Sequence, residues 1–432
     1  MDNVYVNVIG AGLAGCEAAD RLTRYGIPVH LYEMKPVRFS PAHHNKNFAE
    51  LVCSNSLRSD RLENAVGLLK AEMREMDSLI MRVADGTKVP AGGALAVDRD
   101  SFSEEITRII ESNPLITIYR EEIVEIPDGP TIVATGPLSS EDFVRNLETL
   151  GTNFHFYDAA APIVYKESLD MNKIFKGARY GRGDDYLNCP MTEEQYFQFY
   201  NELIHAETAP LHSFETPKVF EGCMPLEIMA KRGPLTLAYG PLKPVGFEFE
   251  GTRPYAVVQL RQDNSDGTLY NIVGFQTNLK FGEQKRVFGL IPGLEHAEYA
   301  RFGVMHRNTF INSPMLLNHY YQMTSKPDLF FAGQITGVEG YVESTSSGLV
   351  CGIEMARYVL GRDLIDFPRT TAIGSLAHYV SEYNGSDFQP MNVTFGIMET
   401  ERTKRMKKLD RYALTAQKSM EIVKELKKKV EP

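Results

Sequence analysis

A chain of 432 residues exceeds the roughly 250–300 residues at which single cores stop growing, so two domains are expected. Apolar residues make up 43% and charged residues 24%, which excludes a disordered, collagenous or disulfide-dense chain, and no run approaches the roughly 18 uninterrupted apolar residues of a membrane span. The formal charge of −10 argues against non-specific nucleic-acid binding, which favours a basic chain, although a local basic patch is compatible with it.

The chain enters a strand-like run at Val4 with no basic or apolar leader before it, which reads as cytoplasmic. A strand over Val4 to Ile9, a glycine turn, a helix from about Ala14 to Tyr25 stopped by Gly26, and a second strand ending at Glu33 make a βαβ opening. Its turn, Gly10-Ala11-Gly12-Leu13-Ala14-Gly15, carries G-x-G-x-x-G between strand and helix, the context in which that pattern has a mechanism. Gly10 permits the tight turn, Gly12 admits a pyrophosphate to the backbone, and Gly15 lets helix and strand pack closely. The helix amides then face the phosphates. Glu33, 18 residues beyond Gly15, ends the second strand, where a carboxylate accepts ribose hydroxyls.

Two further runs read as buried strands feeding glycine loops: Thr131 to Gly136 and Asp328 to Gly333. Thr135 and Gly136 are assigned to the same cleft, and a plain strand-to-loop glycine explains them as well. FAD and NAD share the fingerprint. The late strand–loop–helix, running from Gly333 through Gly337 and Gly340 to Ser344-Thr345-Ser346-Ser347-Gly348, favours flavin by analogy with folds whose binding half is split by an insertion. Between Tyr180 and about Lys326 the texture becomes aromatic and Pro/Gly-punctuated, with alternating stretches at Tyr255 to Leu260 and Leu269 to Phe275. Thr192 with Gln195 predicts a capping box for a helix over Gln195 to His205. The expected fold is therefore α/β, a Rossmann-like domain with a mostly parallel sheet from residues 1–180 and 325–432, and an inserted smaller α+β domain from residues 181–324. From Glu399 to Pro432 the chain holds 11 Lys/Arg against 6 Asp/Glu, a basic tail that also reads as a solvated terminal helix.

Five cysteines (Cys16, Cys53, Cys189, Cys223, Cys351) lie far apart and form no C-x-x-C, so neither a disulfide framework nor a zinc site is expected. Cys53, in a hydroxyl-rich stretch, and Cys223, between Gly222 and Pro225 with Lys231 and Arg232 downstream, read as loop thiols whose nearby cations favour thiolate; burial as structural cysteines is the alternative. Cys16, Cys189 and Cys351 read as packing residues. His43-His44 lacks a third ligand at helical or turn spacing, so no metal is expected. Met305 to Phe310 offers stacking, cationic and amide groups in a short span, or a plain loop.

The stretches Val8 to Gly15, Ala42 to Ser59, Pro90 to Arg99, Phe220 to Gly233, Gly303 to Pro314 and Gly333 to Gly348 closely resemble the folate- and FAD-dependent tRNA uracil-5-methyltransferases, the TrmFO family. The resemblance spans essentially the whole chain. It implies formation of ribothymidine in the T loop of tRNA, with methylenetetrahydrofolate as carbon donor, FAD as cofactor and NAD(P)H as reductant. The family's two important cysteines match Cys53 and Cys223 by their surrounding motifs. A thiolate adding at carbon 6 of uracil activates carbon 5 toward a one-carbon electrophile, a second group removes the carbon 5 proton, and reduced flavin completes the methyl group. Nothing in the sequence decides which cysteine attacks; Cys53 is assigned as nucleophile and Cys223 as its assistant. His306 and Arg307 are assigned to folate, the imidazole to stack on the pterin and the guanidinium to pair with the glutamate tail. Lys231, Arg232 and the tail are assigned to the RNA backbone. Two rivals stand beside this reading: the same chemistry on a ribosomal RNA uridine, and an FAD oxidoreductase of a small metabolite, which needs the glycines and Glu33 but neither loop thiol.

Overall fold

The computed structural model describes residues 4–151, 153–181, 183–210, 224–400 and 406–432. A five-stranded parallel sheet runs in the order β16 (Leu329–Phe331), β7 (Thr131–Val133), β1 (Val6–Ile9), β2 (Val29–Tyr32), β6 (Ile116–Tyr119). Val6, Val8, Leu31, Ile132 and Phe330 are fully or almost fully buried in it, because helices cover both faces of a parallel sheet and leave no wet side. The predicted opening is present, with α1 at Leu13–Arg24, and Gly26 stops it in the left-handed region at φ +72°. Against α1 lies α11 (Tyr341–Val359), at a separation only glycine permits: a Cβ on Gly348 would come 2.3 Å from the Ala14 carbonyl oxygen, and one on Gly352 2.9 Å from that of Ala18. Helices α2 (Ala65–Glu75), α3 (Leu79–Gly86), α4 (Arg99–Glu111) and α12 (Ala372–Glu382) complete this core, with α5 (Glu141–Leu147) packing on a smaller cluster under β7 and β16.

The second layer system is a six-stranded sheet ordered β10 (Phe175–Lys176), β11 (Tyr186–Met191), β12 (Ala256–Gln262), β13 (Leu269–Ile272), β9 (Ile163–Tyr165), β14 (Tyr299–Arg301), antiparallel at every pair. Its own core gathers Tyr196, Phe199, Phe275 and Phe288, contributed in part by α6 (Glu193–His205) and α9 (Phe281–Phe288). The predicted capping box at Thr192 and Gln195 is present in both directions, and the helix starts two residues before the predicted Gln195. Short helices α7 (Leu226–Ala230) and α8 (Thr236–Tyr239) pack on the same core.

Two small sheets lie beside these. One is a ribbon of β8 (Asn153–Ala159) with β15 (Met305–Ile311), ending at α10 (Ser313–Leu316); the other is β3 (Ser56–Ser59), β5 (Ala94–Val97) and β4 (Lys88–Val89). Met305 to Phe310, open to a loop reading in the sequence, is thus a strand.

The basic tail forms α13 (Lys408–Val430), and it is docked as well as solvated. Thr415, Ala416, Ser419, Val423, Leu426 and Val430 are buried; the Ser419 hydroxyl donates to Glu72 of α2 and the Tyr25 hydroxyl to the Val430 carbonyl. None of the described helices is long and apolar enough to cross a membrane.

Candidate functional site

The turn after β1 bares its backbone to a cleft. Gly10 holds φ +100°, and a Cβ there would come 2.5 Å from the Ala134 carbonyl oxygen; Gly12 faces open space. Gly12 caps α1 and Gly340 caps α11 without any side-chain hydrogen bond, so the first amides of both helices remain donors without an intrahelical partner. Gly10, Ala11, Gly12, Leu13, Ala14, Glu33, Thr135, Gly136, Gly333 and Ser344 all line this one cleft. The Glu33 carboxylate accepts from the Ala11 amide (3.0 Å) and the Lys35 amide (3.0 Å), which fixes it at the end of β2 with lone pairs left for a ribose. Two uncapped helix starts, a bare glycine turn and an oriented acid fit a dinucleotide cofactor. Gly15 and Gly348 do not line the cleft: a Cβ on Gly15 would come 1.8 Å from the Gly10 carbonyl oxygen, so both glycines act by close packing. Gly340 sits against Glu343 and Arg58, with φ +112°.

Cys53 stands at the far rim of this cleft, one residue beyond Val52, which lines it. Its segment is clamped where the two large sheets meet. The Cys53 and Ser54 amides donate to the Tyr341 hydroxyl (2.7 and 3.2 Å), at the start of α11. From β12, the buried Arg261 donates to the Ser54 hydroxyl (2.7 Å) and the Asn55 side-chain carbonyl (3.1 Å), while Asn55 donates to the Gln262 carbonyl (3.0 Å). Arg99 reinforces the joint, donating to the Leu51 carbonyl and gripping Asp263 through two bonds of 3.1 and 3.0 Å.

The Cys53 sulfur lies 3.9 Å from the Ala159 carbonyl at the end of β8. Cations do stand near it, as the sequence suggested, but burial and the charge of Asp158 outweigh Arg99 and Arg301 and push the thiol up to about 12. The free protein therefore holds Cys53 as a neutral thiol, against the expectation of a resting thiolate. Cys16, Cys189 and Cys351 are fully buried and free, Cys189 within β11. Cys223 lies outside the described residues.

The assigned substrate-side residues divide. His306 lies directly across the ribbon from Asp158. Burial, then Arg301 and His44, push its imidazole down to about 4, so it is neutral, and its buried Nε2 has no hydrogen-bond partner among the described residues. Arg307 is exposed, and since consecutive strand residues face opposite sides, it and His306 reach different spaces. Lys231 and Arg232 follow α7, exposed, on the second sheet's domain; Glu227 in that helix accepts from the Thr277 hydroxyl (2.9 Å) and the Asn278 amide (2.8 Å).

The Lys427 end of α13 lies beside Asp77 and Tyr25, at the end of α1 opposite the glycine turn, about 18 Å away along a 12-residue helix. Its Lys408 end lies on the cleft side, where Tyr412 stacks on Phe395 at 4.1 Å and Val393 donates its amide to Glu343 (3.0 Å).

Away from the cleft, His319, His378 and Glu382 bring possible ligand atoms within 4.8 Å of one another. The two imidazoles stack at 4.7 Å with 8° between their planes, so their in-plane lone pairs do not converge on one ion; His378 instead meets Glu382 (2.6 Å) and Asp366 (2.9 Å).

Residues 5–363 match the family described as glucose inhibited division protein A. The methylenetetrahydrofolate–tRNA-(uracil-5-)-methyltransferase TrmFO of Acetivibrio thermocellus is 61% identical over 427 residues, covering 98% of each chain. The Bacillus subtilis protein of the same name is 57% identical over 435 residues, covering both chains in full. This chain belongs to the TrmFO family. Family and fold agree: a solved structure of Aquifex aeolicus GidA superposes with a TM-score of 0.73 at 16% identity, covering 100% of this chain and 74% of that one.

Sequence reasoning missed Tyr341, Arg261 and Asp158, none of which carries a local signal in the sequence.

Proposed function

We propose that this chain is a tRNA uracil-5-methyltransferase that takes its carbon from methylenetetrahydrofolate and forms 5-methyluridine, with the T loop as target. The observation that carries the reading is near-full-length identity of 57–61% to TrmFO proteins, in a chain whose clamped Cys53 borders a dinucleotide cleft. FAD fits that cleft: Gly10 to Ala14 and the start of α11 would hold its phosphates and Glu33 its ribose. When bound, FAD supplies the hydride, replenished by NAD(P)H, that turns a transferred methylene into methyl.

The chain's own residues do the rest. Cys53 is the nucleophile for uracil carbon 6, held by Tyr341 and Arg261 so that its sulfur faces the end of the β8 ribbon. A thiol that is neutral at rest must lose its proton as it attacks, and we assign that proton to Asp158, the carboxylate whose charge acts most on the thiol. His306 is neutral and suited to stacking on a pterin; Arg307, Lys231, Arg232 and the cleft-side end of α13 provide cations for anionic groups of folate or RNA. The cytoplasm, where thiols stay reduced, suits this chemistry.

The test incubates the holoenzyme with unmodified tRNA transcript, NADPH and methylene-labelled methylenetetrahydrofolate, followed by nucleoside digestion and mapping. Labelled 5-methyluridine at one T-loop uridine is expected. Label in ribosomal RNA alone would move the target, and no label in either RNA would overturn the reading.

A further inference from the structure

The surface around α8, on the domain of the six-stranded sheet, sets aromatic rings in solvent with cations beside them, and the reading above uses only part of it. Tyr239, the last residue of α8, is 79% exposed, more than any other Tyr or Phe among the described residues, while Leu237 and Ala238 before it are buried. Its segment is rigid: the Gly240 and Leu242 amides both donate to the Leu237 carbonyl (3.1 and 2.9 Å), and the Leu242 carbonyl accepts from the Val257 amide of β12 (2.8 Å). Tyr180, 54% exposed, is brought beside that segment from the loop before β11. The Arg179 guanidinium donates to the Pro241 carbonyl, and Lys243 Nζ lies 5.8 Å from the centre of the Tyr180 ring. Pro241 is two residues from Tyr239, so their Cα atoms are at most about 7.6 Å apart. Tyr180 holds φ +65°, in the left-handed region, which a bulky residue adopts only where its surroundings fix it. Gly246 helps to fix it, since a Cβ there would come 2.8 Å from the Tyr180 amide nitrogen.

From Lys231 to Phe247 the sequence holds Lys231, Arg232 and Lys243 and no Asp or Glu, in a chain whose net charge is −10. Glu193, which like Tyr239 acts on the Tyr255 hydroxyl, bounds this stretch on the α6 side. Local positive charge beside exposed rings is what an unpaired stretch of RNA requires, because the cations meet its phosphates and the π faces meet its bases. We infer that Tyr239 and Tyr180 form a stacking platform for unpaired bases of the RNA substrate, with Lys243, Lys231 and Arg232 on its phosphates. The inference rests on the proposed reading that the substrate is a tRNA. The platform is joined to the cleft through β12: Val257, which holds Leu242, and Arg261, which holds Ser54, are four residues apart, about 13 Å along the strand. That is about four nucleotides at stacking distance, so a loop whose target base enters the cleft reaches the platform with bases close to the target in sequence. Stacking on Tyr239 and Tyr180 replaces base–base stacking that the RNA loses when its target leaves the loop, and so offsets part of the cost of extruding it.

The test uses the full-length holoenzyme with an unmodified tRNA transcript, a stem-loop of its T arm, and a blunt duplex of the stem alone. Since the chain contains no Trp, Tyr239→Trp gives a single reporter. Its emission is expected to be quenched as tRNA or the stem-loop saturates the protein, and to stay unchanged with the duplex, which offers no unpaired base. Tyr239→Ala is expected to weaken stem-loop binding about tenfold with an unchanged salt slope, because no phosphate contact is lost, whereas Lys243→Gln should lower the slope of log Kd against log salt by about one. Tyr239→Phe keeps the ring and should bind as wild type does. Tyr180→Asn, which tolerates the left-handed backbone, should weaken binding several-fold. Wild-type affinity in Tyr239→Ala would overturn the inference, as would emission from Tyr239→Trp that saturating tRNA leaves unchanged or that the duplex quenches equally. So would a wild-type dimer that Tyr239→Ala dissolves, since the ring would then belong to a contact with a second copy of the chain. If wild type binds neither tRNA nor the stem-loop, the tRNA reading itself fails, a result distinct from any of these.

Discussion

The glycine cradle and the thiol rim share one cleft and are built by opposite means. The cradle is backbone: a strand, a glycine turn and a bare helix start, made twice, at β1–α1 and β16–α11, and brought together because Gly348 and Gly352 carry no Cβ. The rim is side chains, and its members come from far apart. Cys53 and Tyr341 are 288 positions distant, Arg261 and Ser54 207, Arg99 and Asp263 164. A binding site for a phosphate-bearing cofactor can be written into a short local pattern, whereas the field around a nucleophile is a property of the assembled fold.

The strongest way to separate the two is to break each alone. Cys53→Ala should abolish methyl transfer by at least roughly 10³-fold while flavin content stays that of wild type. Gly15→Val should do the reverse in kind, because its side chain would collide with the Gly10 carbonyl: flavin is lost and stability falls by about 1–3 kcal/mol or more, read by absorbance and urea unfolding. Loss of flavin in Cys53→Ala would show that rim and cradle are not separable.

Next in size is the reactivity of the thiol itself. With Cys53 pushed up from 9.0 to about 12, its thiolate fraction at pH 8 is about 10³-fold below that of an unperturbed thiol. Alkylation at the Cys53 peptide, followed by mass spectrometry, should rise about tenfold per pH unit without a plateau below pH 11. A plateau near pH 8 would mean that Arg99 and Arg301 outweigh burial.

Smaller effects sharpen the joint. Arg99→Ala leaves the buried Asp263 unpaired and should cost about 3–5 kcal/mol of stability by urea unfolding. Tyr341→Phe removes the acceptor of the Cys53 and Ser54 amides and should lower the methylation kcat by about 10-fold with little change in KM for tRNA, since the thiol loosens but the RNA surface is untouched. The smallest contrast lies along α13. Lys408→Glu, at the cleft-side end, should weaken tRNA binding several-fold, and Lys428→Glu, at the far end, should not, with stability changed by less than about 0.5 kcal/mol in either. Deleting the whole helix is a poor test of RNA contact, because it uncovers α2 and strips Glu72 of the Ser419 hydroxyl.

What could be read beforehand follows the same division. The βαβ opening, Glu33, the late glycine loop and the Thr192–Gln195 capping box were legible because each is set by residues within a turn or two of one another. The docking of α13 was half legible: its lysines announced a wet face, but the buried Ser419, Val423 and Leu426 have meaning only once α2 lies beneath them. The state of Cys53 was not legible at all. Nearby cationic residues in the sequence suggested a thiolate, and what decides is desolvation together with Asp158, brought in on a ribbon strand 105 residues away.

The most direct test of the central claim, that Cys53 attacks the pyrimidine, is to map the covalent link formed with 5-fluorouridine tRNA by protease and nuclease digestion and tandem mass spectrometry. A nucleotide on the peptide containing Cys53 is the predicted result. A nucleotide on the peptide containing Cys223, with Cys53 unmodified, would contradict it.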